Sequence, residues 1–241
     1  LTSATYRQGA TITQQKLEVD RDNALLSRGP RFRMDAEMVR DYALAVSGLL
    51  SRKMYGPGTK PYQPTGIWEV VGLAGGDTRN YVQDKGKNLY RRTVYHFWKR
   101  MAAPPNMVAF NAPSREYCAV SRERTNTPLQ ALITLNDPQF VEAARKFAER
   151  VVREGGQGVE DRSVFAFRSI LGRQPGTSER AALSRIYKEY VIEFKVDPGS
   201  AAKLLAVGES PRDQKMDVNE LAAWTMVTHL LLNLSETVTK G

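Results

Sequence analysis

The sequence predicts a mainly α-helical fold with long irregular loops in its N-terminal half and little or no sheet. Apolar residues recur at three- and four-residue steps in several segments, which is the spacing of one helix face. Prolines follow Thr127 and Asp137, where a capping side chain and a proline together favour the start of a helix. Glycines and prolines interrupt residues 51–84 repeatedly, and this composition predicts loops.

The first predicted helix covers residues 34–50. Its apolar side chains have helical spacing, and Gly48 stands near its end, where a glycine commonly terminates a helix. The irregular segment 51–84 follows, with a short strand predicted at 67–71. An irregular segment of this length inside a domain is often functional.

A second helix is predicted over 88–101, and the proline pair 104–105 ends it. After a further loop, a short helix begins at 127–128. Another begins at 137–138, and an apolar stripe within 140–151 predicts that this helix is amphipathic and packs on the core.

The glycine-rich segment 155–158 is the best candidate for a linker. We therefore predict two parts, a helical core with long loops and the basic segment in residues 1–154, and a C-terminal helical subdomain packed on it in residues 159–241. Four helices are predicted in the second part, over 160–171, from 177 onward, over 201–207 and over 217–234. The last is apolar on nearly every face and should be buried.

Composition excludes several classes of protein. The 241 residues carry a formal charge of +9, are 41% hydrophobic and contain no apolar run long enough to cross a membrane. Cys118 is the single cysteine, and His96 and His229 are the two histidines, so neither an internal disulfide nor a multi-histidine metal site is expected. The sequence begins without Met or a signal peptide, and we expect a fragment of a longer protein.

Positive charge concentrates between Asp84 and Arg124, where nine Lys and Arg stand against three Asp and Glu, with aromatic residues between them. On the predicted helix, Arg92, His96 and Arg100 fall on one face. Guanidinium groups on a rigid face suit sulfate, phosphate or carboxylate groups. The alternatives are a solvated or internally paired basic face and a nucleic-acid site, and no recognised nucleic-acid motif accompanies the latter. The neighbouring arginines would keep His96 neutral, as a structural residue or a base.

Carboxylates also gather on the first helix, where Glu37 and Asp41 are four residues apart. Two acids on one face could serve as an acid–base pair, or they could form a buried ion network with the basic segment. Asp77, Asn80 and Asp84 offer oxygen ligands, but their spacing does not match the helix-loop-helix calcium motif, and we expect no metal site.

Several motifs in order resemble those of one protein family. They are Ser3-Ala4-Thr5-Tyr6-Arg7-Gln8, Arg33-Met34-Asp35-Ala36-Glu37, Lys60-Pro61-Tyr62-Gln63-Pro64, Leu89-Tyr90-Arg91-Arg92, Arg124-Thr125-Asn126-Thr127-Pro128-Leu129-Gln130-Ala131-Leu132 and the ending from Ala222 to Thr237. Together they resemble the C-terminal domain of unknown function in the large planctomycete proteins that carry a cytochrome-c-like domain near their N-terminus. The resemblance covers essentially the whole chain.

The resemblance implies an exported, multidomain context, periplasmic or at the cell surface, linked by inference to polysaccharide use or to surface redox processes. No cofactor is expected in this fragment, since a haem would belong to an upstream domain. The family usually has two adjacent arginines before the Arg-Thr-Asn-Thr-Pro motif, whereas Val120-Ser121-Arg122 stands here. No catalytic role can be carried over.

We expect the first helix, the basic helix and the Arg-Thr-Asn-Thr-Pro turn to meet, so that Arg92 and Arg124 pair with Glu37 or Asp41 in a cleft covered by the Gly/Pro-rich segment. The first functional hypothesis is a module that binds an anionic glycan or a partner domain, such as an upstream domain of the same polypeptide. The others are a polysaccharide hydrolase or lyase using Glu37, Asp41 or His96, and nucleic-acid binding through 84–124. Candidate ligand-binding residues are Glu37, Asp41, Arg91, Arg92, His96, Arg100, Arg124 and Asn126.

Overall fold

The computed structural model describes residues 2–72, 74–76 and 79–241. Asp77 of the weak calcium pattern lies outside the described residues. Within these ranges the fold is mainly α, as predicted, with ten α-helices and one two-stranded sheet. The elements are α1 (Gln14–Val19), β1 (Phe32–Arg33), α2 (Ala36–Ser47), α3 (Ile67–Val71), α4 (Pro105–Ala109), α5 (Pro128–Asn136), α6 (Pro138–Glu154), α7 (Val159–Leu171), α8 (Thr177–Val196), α9 (Pro198–Leu205), α10 (Val218–Asn233) and β2 (Thr239–Lys240).

The core is centred on α10, which packs against α6 and α8. Trp224 and Leu221 on α10 are completely covered, as is Phe147 on α6. This confirms the prediction that the last helix is buried, because a helix that is apolar all round must be surrounded by protein. One hydrophobic cluster contains side chains from both sides of the glycine-rich segment 155–158.

Most helices begin and end at the capping residues that the sequence predicts. Gly48 ends α2 with a φ of +79°, a left-handed conformation that costs glycine little. The Asp137 side chain accepts a hydrogen bond from the backbone N–H of Gln139 and so caps α6. Helix α2 packs on α6, which connects the N-terminal half to the core.

Three predictions for the loop region are wrong. Residues 88–101 do not form a helix: a 3₁₀ turn at Gly86–Asn88 leads into them, and they contain a second one at Thr93–Tyr95. The apparent apolar stripe misleads there, because Val94 and Met101 are exposed and the backbone bonds to other segments instead. Residues 67–71 form the short helix α3 rather than a strand, and the proline pair 104–105 begins α4 instead of ending a helix.

The two-stranded sheet joins distant parts of the chain. Phe32 pairs with Lys240 and Arg33 with Thr239, in antiparallel register. The backbone N–H of Met34 continues the connection with a 2.9 Å hydrogen bond to the carbonyl of Val238. Segment 32–34 is therefore fixed beside the C-terminal end of the fold.

Candidate functional site

Two adjacent residues of α2 hold the loop that follows the 3₁₀ turn at 86–88. Arg40 is buried, and its guanidinium donates to the carbonyl oxygens of Leu89 (2.9 Å) and Arg91 (2.7 Å). The carboxylate of Asp41 accepts from the backbone N–H (2.7 Å) and the hydroxyl (2.6 Å) of Thr93. Side chains thus take the place of a ladder of backbone hydrogen bonds here.

Arg40 is charged although it is enclosed. Its Nε donates to Oε1 of Gln139 at 2.8 Å, so all three guanidinium nitrogens have acceptors. Burial lowers the pKa of Arg40 to about 10, and the charge of Asp41 opposes that shift. The side chain remains protonated at neutral pH.

Arg91, a predicted ligand-binding residue, is buried and holds the Gly/Pro-rich loop. It donates to the carbonyl oxygens of Pro57 (2.8 Å) and Tyr55 (2.6 Å), and its guanidinium carbon lies 3.9 Å from the ring centroid of Tyr95. These contacts give Arg91 a structural role rather than an exposed binding role.

Three arginine–carboxylate pairs follow one another along the beginning of α2. We call Arg92, Arg122 and Arg124 the arginine row. Arg122 forms a two-point pair with Glu37, with N–O distances of 2.6 and 3.2 Å. The other two contacts are longer than hydrogen bonds: Arg92 Nε lies 3.8 Å from Asp41, and Arg124 Nε lies 3.9 Å from Asp35.

The first helix meets the Arg-Thr-Asn-Thr-Pro turn and the residues of the predicted basic helix, although those residues form no helix, and the pairing of Arg92 with Asp41 is confirmed. The pairing of Arg124 with Glu37 or Asp41 is not what the structure shows. Arg122 holds Glu37, and Arg124 reaches Asp35 instead.

The pKa of Glu37 is lowered by this arrangement. Burial by itself would raise it, but the hydrogen bonds from Arg122 and the positive charges of Arg122 and Arg115 outweigh burial. A carboxylate that is held ionised and bonded on both oxygens is poorly suited to donate a proton. Glu37 thus fits an ion-pair role better than that of a general acid.

His96 is buried and neutral. Its Nδ1 lies 2.8 Å from the carbonyl oxygen of Phe97, so Nδ1 carries the proton, and Nε2 has no hydrogen-bond partner among the described residues. Burial lowers the pKa of His96 to about 4, assisted by the charge of Arg40. The prediction that His96 shares a helix face with Arg92 and Arg100 is wrong, because no helix forms there. Arg100 is exposed in a turn, and Asn126 is exposed just before α5.

An exposed loop carries Arg115, Arg122 and Arg124. The Asn111 amide closes it by donating to the Thr125 hydroxyl at 2.7 Å. The guanidinium carbon of Arg115 lies 4.8 Å from the Trp98 ring centroid. Arg115 and Arg122 were not among the predicted site residues, and a loop without periodicity offers no pattern from which their partners could be found.

A second group of charged residues missed by the sequence analysis lies on α6. Glu142 is completely buried and accepts hydrogen bonds from the hydroxyls of Tyr62 (2.9 Å) and Tyr90 (2.8 Å) and from the backbone N–H of Ser210 (2.6 Å). Burial and the charge of Glu142 raise the pKa of both tyrosines. The signal was available, since Glu142, Arg145 and Glu149 share a helix face at steps of three and four residues.

Within the described ranges, no group of three or more His, Cys, Asp or Glu side chains is arranged so that it could hold a metal ion. In the same part of the chain, every helix is too short or too polar to cross a bilayer.

Comparison with protein families gives a match over most of the chain. A family model described as PSD1, a protein of unknown function (DUF1553), matches residues 1–187. Neither a curated protein nor a solved structure matches the chain. Because the matched residues make up well over half of the sequence, the chain belongs to the PSD1 (DUF1553) family.

Proposed function

We propose that the chain is a binding module without catalytic activity of its own, and that the arginine row binds an anionic ligand of the glycan class. The observation that carries the proposal is the state of Arg92 and Arg124. Each side chain is 51% exposed, and each carboxylate contact exceeds hydrogen-bond length. A guanidinium has five N–H donors, so such a side chain can bind a sulfate or carboxylate group while it stays near its own acid.

The surroundings of the row also support the proposal. Arg115 adds an exposed cation near the row, and its positive charge contributes to the lowered pKa of Glu37. Arg122 borders a surface pocket of about 600 Å³ formed by Val108 and residues 111–114 and 117–123. A ligand bound to the row has room beside it.

The contacts give less support to the hydrolase or lyase alternative. Glu37 is held by Arg122, Asp41 by Thr93, and His96 is buried with a lowered pKa. On the resemblance alone, we further propose that the chain comes from an exported multidomain planctomycete protein in which any haem lies in an upstream domain.

Calorimetric titration at low and high salt tests the proposal, with dextran sulfate, neutral dextran and a single-stranded oligonucleotide as probes. We expect saturable binding of dextran sulfate that persists at high salt, and no binding of neutral dextran. Replacing Arg92 and Arg124 together by Gln should weaken dextran sulfate binding by about a hundredfold or more, because charge-assisted hydrogen bonds contribute about 1.5–3 kcal/mol each and about 1.4 kcal/mol is a factor of ten.

The matched control is Arg185→Gln, which removes an exposed arginine from α8 and should leave binding unchanged. Equal, salt-sensitive binding of dextran sulfate and oligonucleotide, unaffected by the double variant, would indicate a diffuse basic surface and contradict the proposal. Absence of binding would also contradict it and would favour a partner domain as the ligand.

A further inference from the structure

A cavity of about 560 Å³ opens between the Gly/Pro-rich segment and the helices α4, α5 and α6. This volume lies within the roughly 300–1,000 Å³ that is typical of small-molecule sites. The cavity is lined by Tyr62, Gln63, Pro64, Gln83, Pro105, Asn106, Leu132, Ile133, Asn136, Asp137 and Pro138. None of the residues of the arginine row lines it, so a ligand in this cavity would be independent of an anion bound to the row.

The lining is mostly uncharged. It contains no Lys, Arg or His, and its single carboxylate, Asp137, is already satisfied by the amide of Asn106 and the backbone N–H of Gln139, both at 2.9 Å. An anion would find no counter-charge among these side chains, and a cation would have to compete with the hydrogen bonds of Asp137. The lining therefore suits a neutral molecule.

Two amide side chains of the lining have buried polar atoms without a hydrogen-bond partner among the described residues. Both the oxygen and the nitrogen of the Gln63 amide are buried and unpaired among the described residues, and so is the side-chain oxygen of Asn106. Buried polar groups in folded proteins are nearly always paired, and an exception calls for an explanation. Here two acceptors and one donor belong to residues that line a single cavity.

We propose that this cavity binds a small neutral polyhydroxylated molecule, of the chemical class of a mono- or disaccharide. Each hydroxyl group both donates and accepts, so neighbouring hydroxyls can serve the two acceptors and the donor without any charge. The C–H faces of such a ring can pack on the prolines and on Leu132 and Ile133. Because the unpaired atoms of Gln63 and Asn106 are covered from solvent, binding includes rotation of both side chains towards the ligand.

Saturation-transfer NMR with the whole chain tests the inference, with glucose, galactose, mannose, xylose and cellobiose as neutral probes and glucuronate as the charged one. We expect at least one neutral sugar to give a saturable signal that exceeds that of glucuronate. Gln63→Met should abolish the signal without lowering the midpoint of thermal unfolding, because the replaced amide makes no hydrogen bond to any described residue. Gln174→Met, at an exposed glutamine before α8, is the matched control and should keep the signal.

A second variant keeps the test decisive if Gln63→Met folds poorly. Leu132 lines the cavity but is 57% exposed, so Leu132→Ser should leave the fold intact and weaken sugar binding severalfold. The inference is overturned if no neutral sugar gives a signal. It is also overturned if the signal survives both variants, since the sugar would then be bound elsewhere.

Discussion

Arg40 donates a 2.7 Å hydrogen bond from its guanidinium to the backbone carbonyl of Arg91, so one buried arginine holds the main chain of another. The Arg91 side chain in turn donates to the carbonyls of Pro57 and Tyr55. The long Gly/Pro-rich loop is thereby attached to α2 through two guanidinium groups. This arrangement places Thr93 beside Asp41 and brings Arg92 to the start of the arginine row.

Arg40→Met should destabilise the protein by about 3 kcal/mol or more. The substitution leaves the carbonyls of Leu89 and Arg91 and the amide oxygen of Gln139 without their donor, and each unsatisfied buried acceptor costs about 1–3 kcal/mol. Urea denaturation measures the free energy of unfolding. Arg185→Met on the surface of α8 is the control and should change it by less than about 0.5 kcal/mol. Equal effects of the two variants would contradict the anchoring role of Arg40.

A double-mutant cycle between Glu37 and Arg122 should give a coupling energy of about 1 kcal/mol. This value is at the upper end for partly exposed ion pairs, because the contact is bidentate. Glu37→Gln keeps the size of the side chain, and Arg122→Gln replaces the guanidinium by an uncharged polar group. The same cycle between Glu37 and Arg124 should give a coupling near zero, since Arg124 reaches Asp35. The reverse order of the two coupling energies would show that Arg124 is the partner of Glu37 in solution.

The stability of the protein should depend on the protonation of His96. Its pKa falls from 6.5 to about 4 on folding, so the folded state binds fewer protons than the unfolded state between these values. Stability is therefore complete above pH 6.5 and is lost as the pH falls towards 4, by about 3 kcal/mol in all.

His96→Gln removes this group and tests the dependence. The difference in unfolding free energy between wild type and variant, measured by urea denaturation from about pH 7 to about pH 4, should shift in favour of the variant as the pH falls. Using the difference cancels the carboxylates that titrate in the same range. A difference that stays constant with pH would show that His96 is not buried in the neutral form.

Gly208→Ala should destabilise the fold more than Gly172→Ala. Both glycines have positive φ, +93° and +73°, where an alanine is strained by about 1–2 kcal/mol. A Cβ at Gly208 would also lie 2.6 Å from Cγ of the buried Glu142, whereas at Gly172 it meets open space. We expect an additional loss of about 1–3 kcal/mol at Gly208, measured by thermal or urea unfolding. Equal losses would mean that the 207–210 loop moves away from Glu142 without cost.

The helices could be predicted because their signals are local. Periodicity and capping residues locate α2, α6, α7, α8 and α10 to within a few residues. The structure of segment 88–101 could not be predicted in this way, because tertiary contacts override the helical spacing of its apolar residues. The carbonyls of Leu89 and Arg91 accept hydrogen bonds from the Arg40 side chain of α2 rather than from backbone N–H groups of a helix. The sequence of 88–101 contains no pattern from which these bonds could be inferred.

The candidate site was predictable in its elements but not in its pairings. The concentration of positive charge in 84–124 requires acidic partners, and α2 supplies them. Which arginine meets which carboxylate depends on the path of an irregular loop, so Arg122 rather than Arg124 holds Glu37. The cavity beside Gln63 could not be inferred at all, since its lining comes from four separate stretches of the chain.

The pairing of β1 with β2 also has a consequence for the order in which the protein folds. Residues 32–33 and their partners 239–240 are about 200 residues apart in sequence, so β1 has no strand to pair with until β2 has been synthesised. Contacts between residues so far apart in sequence have a large entropic cost of loop closure. They form late unless other contacts have already brought the two segments together. The helices around α6 and α10 provide those contacts, so the N-terminal segment should be the last part of the chain to become protected from hydrogen exchange during refolding.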